Sequence, residues 1–121
     1  MKKELNNEEI LTKMRDMLSI TSDMTRLKIM LCLLDEDLCS CKEHKHSNCG
    51  MCEHRSCMIE KCVSEIMVDV GASQSLISHQ LKILKDFDLV STRREGKKIY
   101  YSLKDGHIKQ LISVVYEHAK E

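Results

Sequence analysis

The chain has few residues that stack on bases or interrupt helices. Its 121 residues include no tryptophan, no proline and one phenylalanine, which disfavours stacking on single-stranded nucleic acid or on flat ligands. The formal net charge is zero, so a basic field over the whole molecule is excluded and any nucleic-acid surface must be local. The sequence shows neither a signal-peptide core nor an apolar run of transmembrane length, so we expect a cytoplasmic protein with no membrane partner.

Cysteine, in contrast, is abundant. Seven cysteines in a reducing compartment favour metal binding or redox chemistry over structural disulfides. Six of them, with three histidines, fall between residues 39 and 62. Five lie in a stretch without helical period, which we interpret as an insertion at about 35–61 in a single domain of residues 1–121, and the sixth, Cys62, directly follows it. The six are Cys39, Cys41, Cys49, Cys52, Cys57 and Cys62. They could bind a second, softer metal through thiolates, respond to oxidants, or lie in a loop without bound metal; Cys39-x-Cys41 and Cys49-x-x-Cys52 compete as ligand pairs.

Apolar periodicity outside this insertion predicts a mainly α fold with a small β-hairpin. The predicted helices cover residues 8–19, about 23–34, 62–70, 74–85 and the C-terminal stretch after Asp105; the predicted strands cover 89–94 and 97–103, with a turn at Glu95-Gly96. The second helix is expected to bury Leu27, Met30, Leu31 and Leu34, with Cys32 as a small core residue.

A helix-turn-helix is predicted over residues 62–85. Gly71 suits a left-handed turn and Ser73 can cap the following helix. That helix should bury Ile77, Leu81 and Leu84, which recur at helical spacing.

The excess of positive charge is local and coincides with these elements. Between residues 74 and 98 there are six Lys or Arg against three Asp or Glu. A helix with polar side chains can read base edges in the major groove, and a basic hairpin can contact phosphates or the minor groove. The expected DNA contacts are Gln74, Ser75, Ser78, His79 and Lys82 on the helix and Arg93, Arg94, Lys97 and Lys98 on the hairpin. The alternative is an ordinary helix and hairpin with solvated charges.

Four metal-ligand side chains lie near the C-terminus: Asp105, His107, His118 and Glu121. The two histidines share one face of a helix but lie roughly 16 Å apart along its axis, too far to share an ion. In an antiparallel pair of these helices, residue i faces a residue numbered about 225 − i, which brings His107 to His118 and Asp105 to Glu121 of a second chain. Alternatively, Asp105 caps the helix, and His118 and Glu121 are solvated.

Three segments resemble the ArsR/SmtB family of metal-responsive repressors. They are Thr25-Arg26-Leu27-Lys28-Ile29, Ser73-Gln74-Ser75-Leu76-Ile77-Ser78-His79-Gln80-Leu81-Lys82, and Arg93-Arg94-Glu95-Gly96-Lys97-Lys98-Ile99-Tyr100-Tyr101-Ser102-Leu103. The resemblance implies a winged helix-turn-helix homodimer, joined through its terminal helices, that binds double-stranded operator DNA and releases it on binding metal. The family's zinc and cobalt sensors carry Asp-x-His, ten residues, then His-x-x-His/Glu on the last helix, a pattern that the four C-terminal residues match position for position.

The chain departs from the family pattern in its insertion. Family members that sense cadmium or lead use Cys-x-Cys on the helix before the recognition helix, whereas this chain has Cys62-Val63-Ser64, with one cysteine. We therefore expect a repressor that senses Zn(II) or Co(II), and not an enzyme, because two imidazoles and two carboxylates would leave no open position on the metal. The alternatives are a thiolate sensor of Cd(II), Pb(II) or arsenite, a metal-buffering protein, and a DNA-binding redox switch.

Overall fold

The fold consists of five helices and three short strands over the residues that the structure, a computed structural model, describes, which are 7–34 and 59–121. In chain order the elements are α1 (Glu8–Thr21), α2 (Met24–Cys32), β1 (Lys61–Cys62), α3 (Val63–Val70), α4 (Gln74–Asp86), β2 (Val90–Glu95), β3 (Lys98–Leu103) and α5 (Gly106–Lys120). The predicted fold class, mainly α with a small β-hairpin, is confirmed. Among the residues described, no helix combines the length and the apolar character needed to cross a membrane.

Side-chain caps set the starts of four helices. The side chains of Asn7, Asp23, Ser73 and Asp105 each accept a hydrogen bond from the backbone N–H three residues later, at 3.1–3.3 Å. These bonds satisfy N–H groups that have no partner inside a helix. The cap of α4 is therefore the predicted one. The helix ends are less well predicted, since α1 runs two residues past Ser19 and α2 ends at Cys32, before Leu34.

The helix-turn-helix of α3 and α4 is built on the predicted turn. Gly71 adopts φ +75°, and its N–H donates to the carbonyl of Met67 at 2.8 Å, which closes the last turn of α3. A side chain at this φ would be strained, so glycine is the fitting residue. The chain then enters α4 through the Ser73 cap.

The hairpin of β2 and β3 forms a three-stranded antiparallel sheet with β1, in the order β1-β3-β2. Glu95 pairs with Lys98, so the two turn residues are Gly96, at φ +61°, and Lys97. The predicted turn at Glu95-Gly96 was thus wrong by one residue. Strand β1 was not predicted, because two residues are too few to show an alternating pattern.

The core lies between α2, α3, α4, the hairpin and the start of α5. All three residues predicted to be buried on α4 are fully buried. The predicted apolar face of α2 was partly wrong: Met30 and Leu34 are buried, but Leu27 and Leu31 are only partly buried. The other two buried residues of this segment are Ile29 and Leu33. Cys32 packs at the edge of the core rather than within it.

Candidate functional site

The exposed face of α4 carries the polar side chains predicted to read DNA. Ile77, Leu81 and Leu84 hold the opposite face in the core. The five exposed residues predicted as DNA contacts are Gln74, Ser75, Ser78, His79 and Lys82. Because the buried stripe fixes the rotation of the helix, these side chains project from the same element into solvent. Their contact with DNA stays a prediction.

Leu76 is a further exposed side chain of α4 that the sequence analysis did not select. It lies in the first turn of the helix and is 40% exposed, beside Ser75. An apolar side chain at such a position can contact the methyl group of thymine in the major groove. Its place next to Ile77, off the buried stripe, is the sequence signal that indicates its exposure.

The four basic residues of the hairpin differ in their surroundings. The Arg93 guanidinium donates to Glu95 Oε2 at 2.8 Å and to Glu60 Oε2 at 2.6 Å, and it lies 4.9 Å from the centre of the Tyr100 ring. The hydrogen bond to Glu95, followed by that to Glu60, raises the pKa of Arg93 above its usual value. Two carboxylates therefore already pair with this one positive charge.

Arg94, Lys97 and Lys98 are exposed near the hairpin tip and form no ion pair with any residue in 7–34 or 59–121. These three side chains are consequently better placed than Arg93 to meet a phosphate. Together with the exposed face of α4, they are the candidate DNA contacts of a single protomer.

The four predicted metal ligands lie in two pairs at opposite ends of α5. Asp105 caps the helix, and its Oδ1 lies 3.7 Å from His107 Nδ1. His118 Nδ1 lies 3.9 Å from Glu121 Oε2. The histidine side chains are 89% and 87% exposed. Within the described part of one chain, no three metal-ligand side chains lie close enough to hold an ion.

The face of α5 that carries the histidines is also apolar. Ile108 and Ile112 point into the core, whereas Leu111 and Val114 lie between His107 and His118 at the spacing of a single helical stripe. Val114, Val115 and Tyr116 are exposed. Helix α1 has no buried residue and exposes a second apolar set: Ile10, Leu11, Met14 and Leu18.

Two of the seven cysteines lie in the described ranges. Cys32 Sγ donates to Asp69 Oδ2 at 3.3 Å and accepts from Lys61 Nζ at 3.5 Å. Burial, and then the hydrogen bond to Asp69, raises the pKa of the Cys32 thiol to about 11. This shift disfavours the thiolate, which is the form of cysteine that binds metal.

Cys62, one of the six candidates for a second metal site, is buried at the start of α3. Its Sγ lies 3.2 Å from Glu65 Oε1 and 3.1 Å from Ser64 Oγ. The other five candidates, Cys39, Cys41, Cys49, Cys52 and Cys57, lie outside the described residues. The second metal site stays a prediction.

Known proteins resemble this chain in both sequence and fold. Residues 59–92 match the family model described as bacterial regulatory protein, arsR family. A transcriptional repressor SmtB homolog from Synechocystis sp. is 30% identical over 109 residues, which cover 90% of this chain and 65% of that protein. A cadmium resistance transcriptional regulatory protein CadC homolog from Staphylococcus aureus is 39% identical over 62 residues, 51% of each chain. The chain is thus similar in sequence to transcriptional regulators of the ArsR/SmtB family.

The chain spans about half the length of the CadC homolog that it matches. Its fold is that of the homodimeric winged helix-turn-helix DNA-binding domain Mb0332 from Mycobacterium bovis, with a TM-score of 0.72 over 100% of this chain and 91% of that chain. At 21% identity this likeness shows the fold alone. The expected resemblance to ArsR/SmtB transcriptional regulators is confirmed. Specificity for zinc or cobalt stays a prediction.

Proposed function

We propose that the protein is a homodimeric repressor that binds operator DNA and releases it when Zn(II) or Co(II) binds between the α5 helices of two protomers. The observation that carries the proposal is the face of α5 that presents a histidine and a carboxylate at each end and apolar residues in the middle. Each end supplies half of a four-ligand site, and the middle supplies surface for a second copy.

Two-fold symmetry joins the half-sites. Around the axis inferred from the sequence, where residue i faces about 225 − i, His107 meets His118 of the second chain and Leu111 meets Val114. The apolar pair thus lies at the centre, with one metal site on each side. Association would cover apolar side chains that are exposed in the single chain. Because both chains supply ligands, metal binding should also strengthen the dimer.

The donor set suits Zn(II) or Co(II). Two imidazole nitrogens and two carboxylates form a borderline-hard site, whereas Cu(I) and arsenite prefer thiolates. Capping of α5 occupies Oδ1 of Asp105 and is compatible with coordination through its other oxygen. Four protein ligands complete a tetrahedron, and the metal would serve as an effector rather than as a catalyst.

Release of DNA would follow from linkage between the two sites. The exposed face of α4 and the hairpin tip form the proposed DNA surface, and a dimer holds two such surfaces at a fixed separation. Metal lowers DNA affinity only if it binds more tightly to a dimer in which that separation has changed. The names of the relatives, a transcriptional repressor and a cadmium resistance regulator, support repression linked to a metal.

Mixed dimers test the shared site. His107→Ala and His118→Ala each remove one imidazole from both sites of a homodimer, whereas a dimer of one chain of each kind keeps one intact site and loses both imidazoles from the other. Zn(II) binding, measured by competition with a chromophoric chelator, should be weak in each homodimer and recover to one tight ion per mixed dimer. His79→Ala, on α4, is the matched control. Wild-type Zn(II) affinity in both mutant homodimers would contradict the proposal.

The second candidate is a thiolate sensor that uses the cysteine-rich insertion, favoured by the similarity to a cadmium resistance regulator. Ser at Cys49, Cys52 and Cys57 separates the two candidates. If the zinc site is the switch, these replacements should leave Zn(II)-driven DNA release intact and remove any ultraviolet band that Cd(II) induces. Loss of the Zn(II) response in the Ser variant, with retention in His107→Ala, would establish the thiolate sensor instead.

A further inference from the structure

One side chain, that of Arg26, connects three helices. Arg26 lies in the first turn of α2, and its backbone N–H donates to the cap residue Asp23 at 3.1 Å. Its Nε donates to the carbonyl of Ile20, in the last turn of α1, at 2.7 Å. Its Nη1 donates to Gln80 Oε1, on α4, at 2.6 Å. A single guanidinium therefore joins α1, α2 and the proposed DNA-reading helix.

The bond to Ile20 completes the end of α1. The last four carbonyls of a helix have no partner inside it. At this end, the Thr21 hydroxyl donates to the carbonyl of Leu18 and the Ser22 hydroxyl to that of Ser19. The Nε of Arg26 donates to the carbonyl of Ile20. Hydrogen bonds from a charged donor are roughly twice as strong as neutral ones. Three successive carbonyls at the end of α1, those of Leu18, Ser19 and Ile20, therefore accept hydrogen bonds from side chains of the following residues.

The bond to Gln80 reaches α4 beside its DNA-facing side. Gln80 is partly buried and lies between His79, which is exposed, and Leu81, which is in the core. A displacement of Gln80 would therefore rotate or shift His79 and its neighbours. The planar guanidinium can donate to Ile20 and Gln80 at once from different nitrogens, a geometry that the single ammonium of lysine does not reproduce.

We propose that Arg26 is a positioning residue for DNA binding and its regulation by metal, because it fixes the direction of α4 relative to α1 through Ile20 and Gln80. The inference rests on the proposed function. Helix α1 exposes the apolar set Ile10, Leu11, Met14 and Leu18. A rearrangement between protomers that moves α1 would therefore reach α4 through the hydrogen bonds of Arg26, in addition to the packing of Met17 and Ile20 against the core.

Two variants break the link from opposite ends. Arg26→Lys keeps the positive charge but loses the guanidinium that donates to Ile20 and Gln80 from two nitrogens. Gln80→Met keeps the size of the side chain but loses the oxygen that accepts from Arg26. The DNA probe is a duplex that the wild-type protein selects from a random-sequence library. Each variant should bind this duplex about tenfold more weakly without metal, which corresponds to the loss of one charge-assisted hydrogen bond. Each should also show a smaller change in DNA affinity on addition of Zn(II), with an unchanged affinity for Zn(II).

Three further measurements separate positioning from mere stability. Gln80→Glu keeps an acceptor for Arg26 and should retain wild-type coupling between Zn(II) and DNA. The double variant Arg26→Lys with Gln80→Met should bind DNA no more weakly than either single variant, because both break the same link. Arg15→Lys is the matched control, since Arg15 is exposed on α1 and, within residues 7–34 and 59–121, its side chain forms hydrogen bonds with its neighbour Asp16 alone.

Measurements on the wild-type protein test the proposed function before any variant is compared. If it selects no duplex, or keeps its duplex in Zn(II), the proposed function fails and the inference fails with it. If the wild type behaves as proposed, while folded Arg26→Lys and Gln80→Met bind DNA and respond to Zn(II) as it does, the inference alone is overturned. Should Arg26→Lys not fold, Gln80→Met decides the outcome by itself.

Discussion

Helices α4 and α5 have similar lengths but differ in how far one chain completes their surroundings. On α4, the apolar stripe is fully buried, and polar side chains occupy most of the exposed face. On α5, Ile108 and Ile112 reach the core, yet Val114 and Val115 are 54% and 55% exposed. A single chain therefore completes the helix proposed to read DNA, whereas the helix proposed to bind metal retains an apolar face for a second copy.

The same difference separates the two kinds of functional side chain. The polar residues of α4 need no second protomer to share a face, because the helix and its buried stripe place them. The candidate ligands of α5 form two pairs at opposite ends of one helix, so a four-ligand site would require a second chain. The proposed DNA contact and the proposed metal binding thus depend on different levels of structure.

The largest expected effect comes from the buried stripe of α4. Leu81→Ala should lower the free energy of unfolding by about 3 kcal/mol, because it removes buried methyl groups and leaves a cavity. Leu76→Ala, on the same helix but 40% exposed, should cost less than about 1 kcal/mol. Urea denaturation followed by circular dichroism measures both. Equal losses for the two variants would contradict the distinction between the buried and exposed faces.

The second effect concerns association rather than folding. Val114→Asp should raise the dissociation constant of the dimer by about 100-fold, because it places two carboxylates near the proposed axis in place of an apolar contact. Val68→Asp, on α3, is the matched control: the same substitution at a valine that is 83% exposed and outside the proposed interface. Sedimentation velocity at several concentrations measures the dimer. If both variants dissociate alike, the apolar face of α5 is not the interface.

Local patterns explain which parts of this comparison the sequence could predict. The stripe of α4 and the cap at Ser73 follow from residues within one helix, so periodicity and capping rules predict both. Strand β1 is defined by pairing with β3, about forty residues away, and two residues carry no pattern of their own. The sequence also did not predict the contact of Arg93 with Glu60 or that of Arg26 with Gln80. These partners lie 33 and 54 residues apart, so no local pattern connects them.

For the candidate ligands of α5, the sequence predicts the arrangement within one helix but not the assembly across two chains. Sequence spacing predicted that His107 and His118 share one face but not one ion, and within the described part of one chain no metal cluster forms. The pairing of each histidine with a nearby carboxylate also follows from short spacings. The assembly of the pairs across two chains depends on packing between protomers and stays a prediction.

A third and smaller effect distinguishes two neighbouring arginines of the hairpin. Arg94→Ala should weaken binding to DNA of any sequence and reduce the slope of log affinity against log salt by about 1, because one phosphate contact is lost. Arg93→Ala should change this slope less, since Glu60 and Glu95 already pair with the guanidinium. Fluorescence anisotropy across a salt series provides the slopes. A larger change for Arg93→Ala would show that the carboxylates release it when DNA binds.

The smallest expected effect concerns Cys32, at the edge of the core that α2 and α3 share. Its pKa is raised from 9.0 to about 11, first by burial and then by its hydrogen bond to Asp69. The folded state therefore holds the thiol proton of Cys32 more tightly than the unfolded state does. The protonated thiol contributes fully to the free energy of unfolding below the ordinary pKa, and this contribution is lost as the pH rises through the raised pKa.

The same shift predicts slow alkylation of Cys32. At pH 8 the folded protein should react with iodoacetamide at Cys32 more than about tenfold more slowly than the urea-unfolded chain, because less thiolate is present. Asp69→Asn removes a carboxylate that raises the pKa and should accelerate the reaction, whereas Asp16→Asn, on α1, should not. Peptide mass spectrometry follows Cys32 separately from the other cysteines. Equal rates in the folded and unfolded protein would show that Cys32 lies in an ordinary solvated environment rather than against the core.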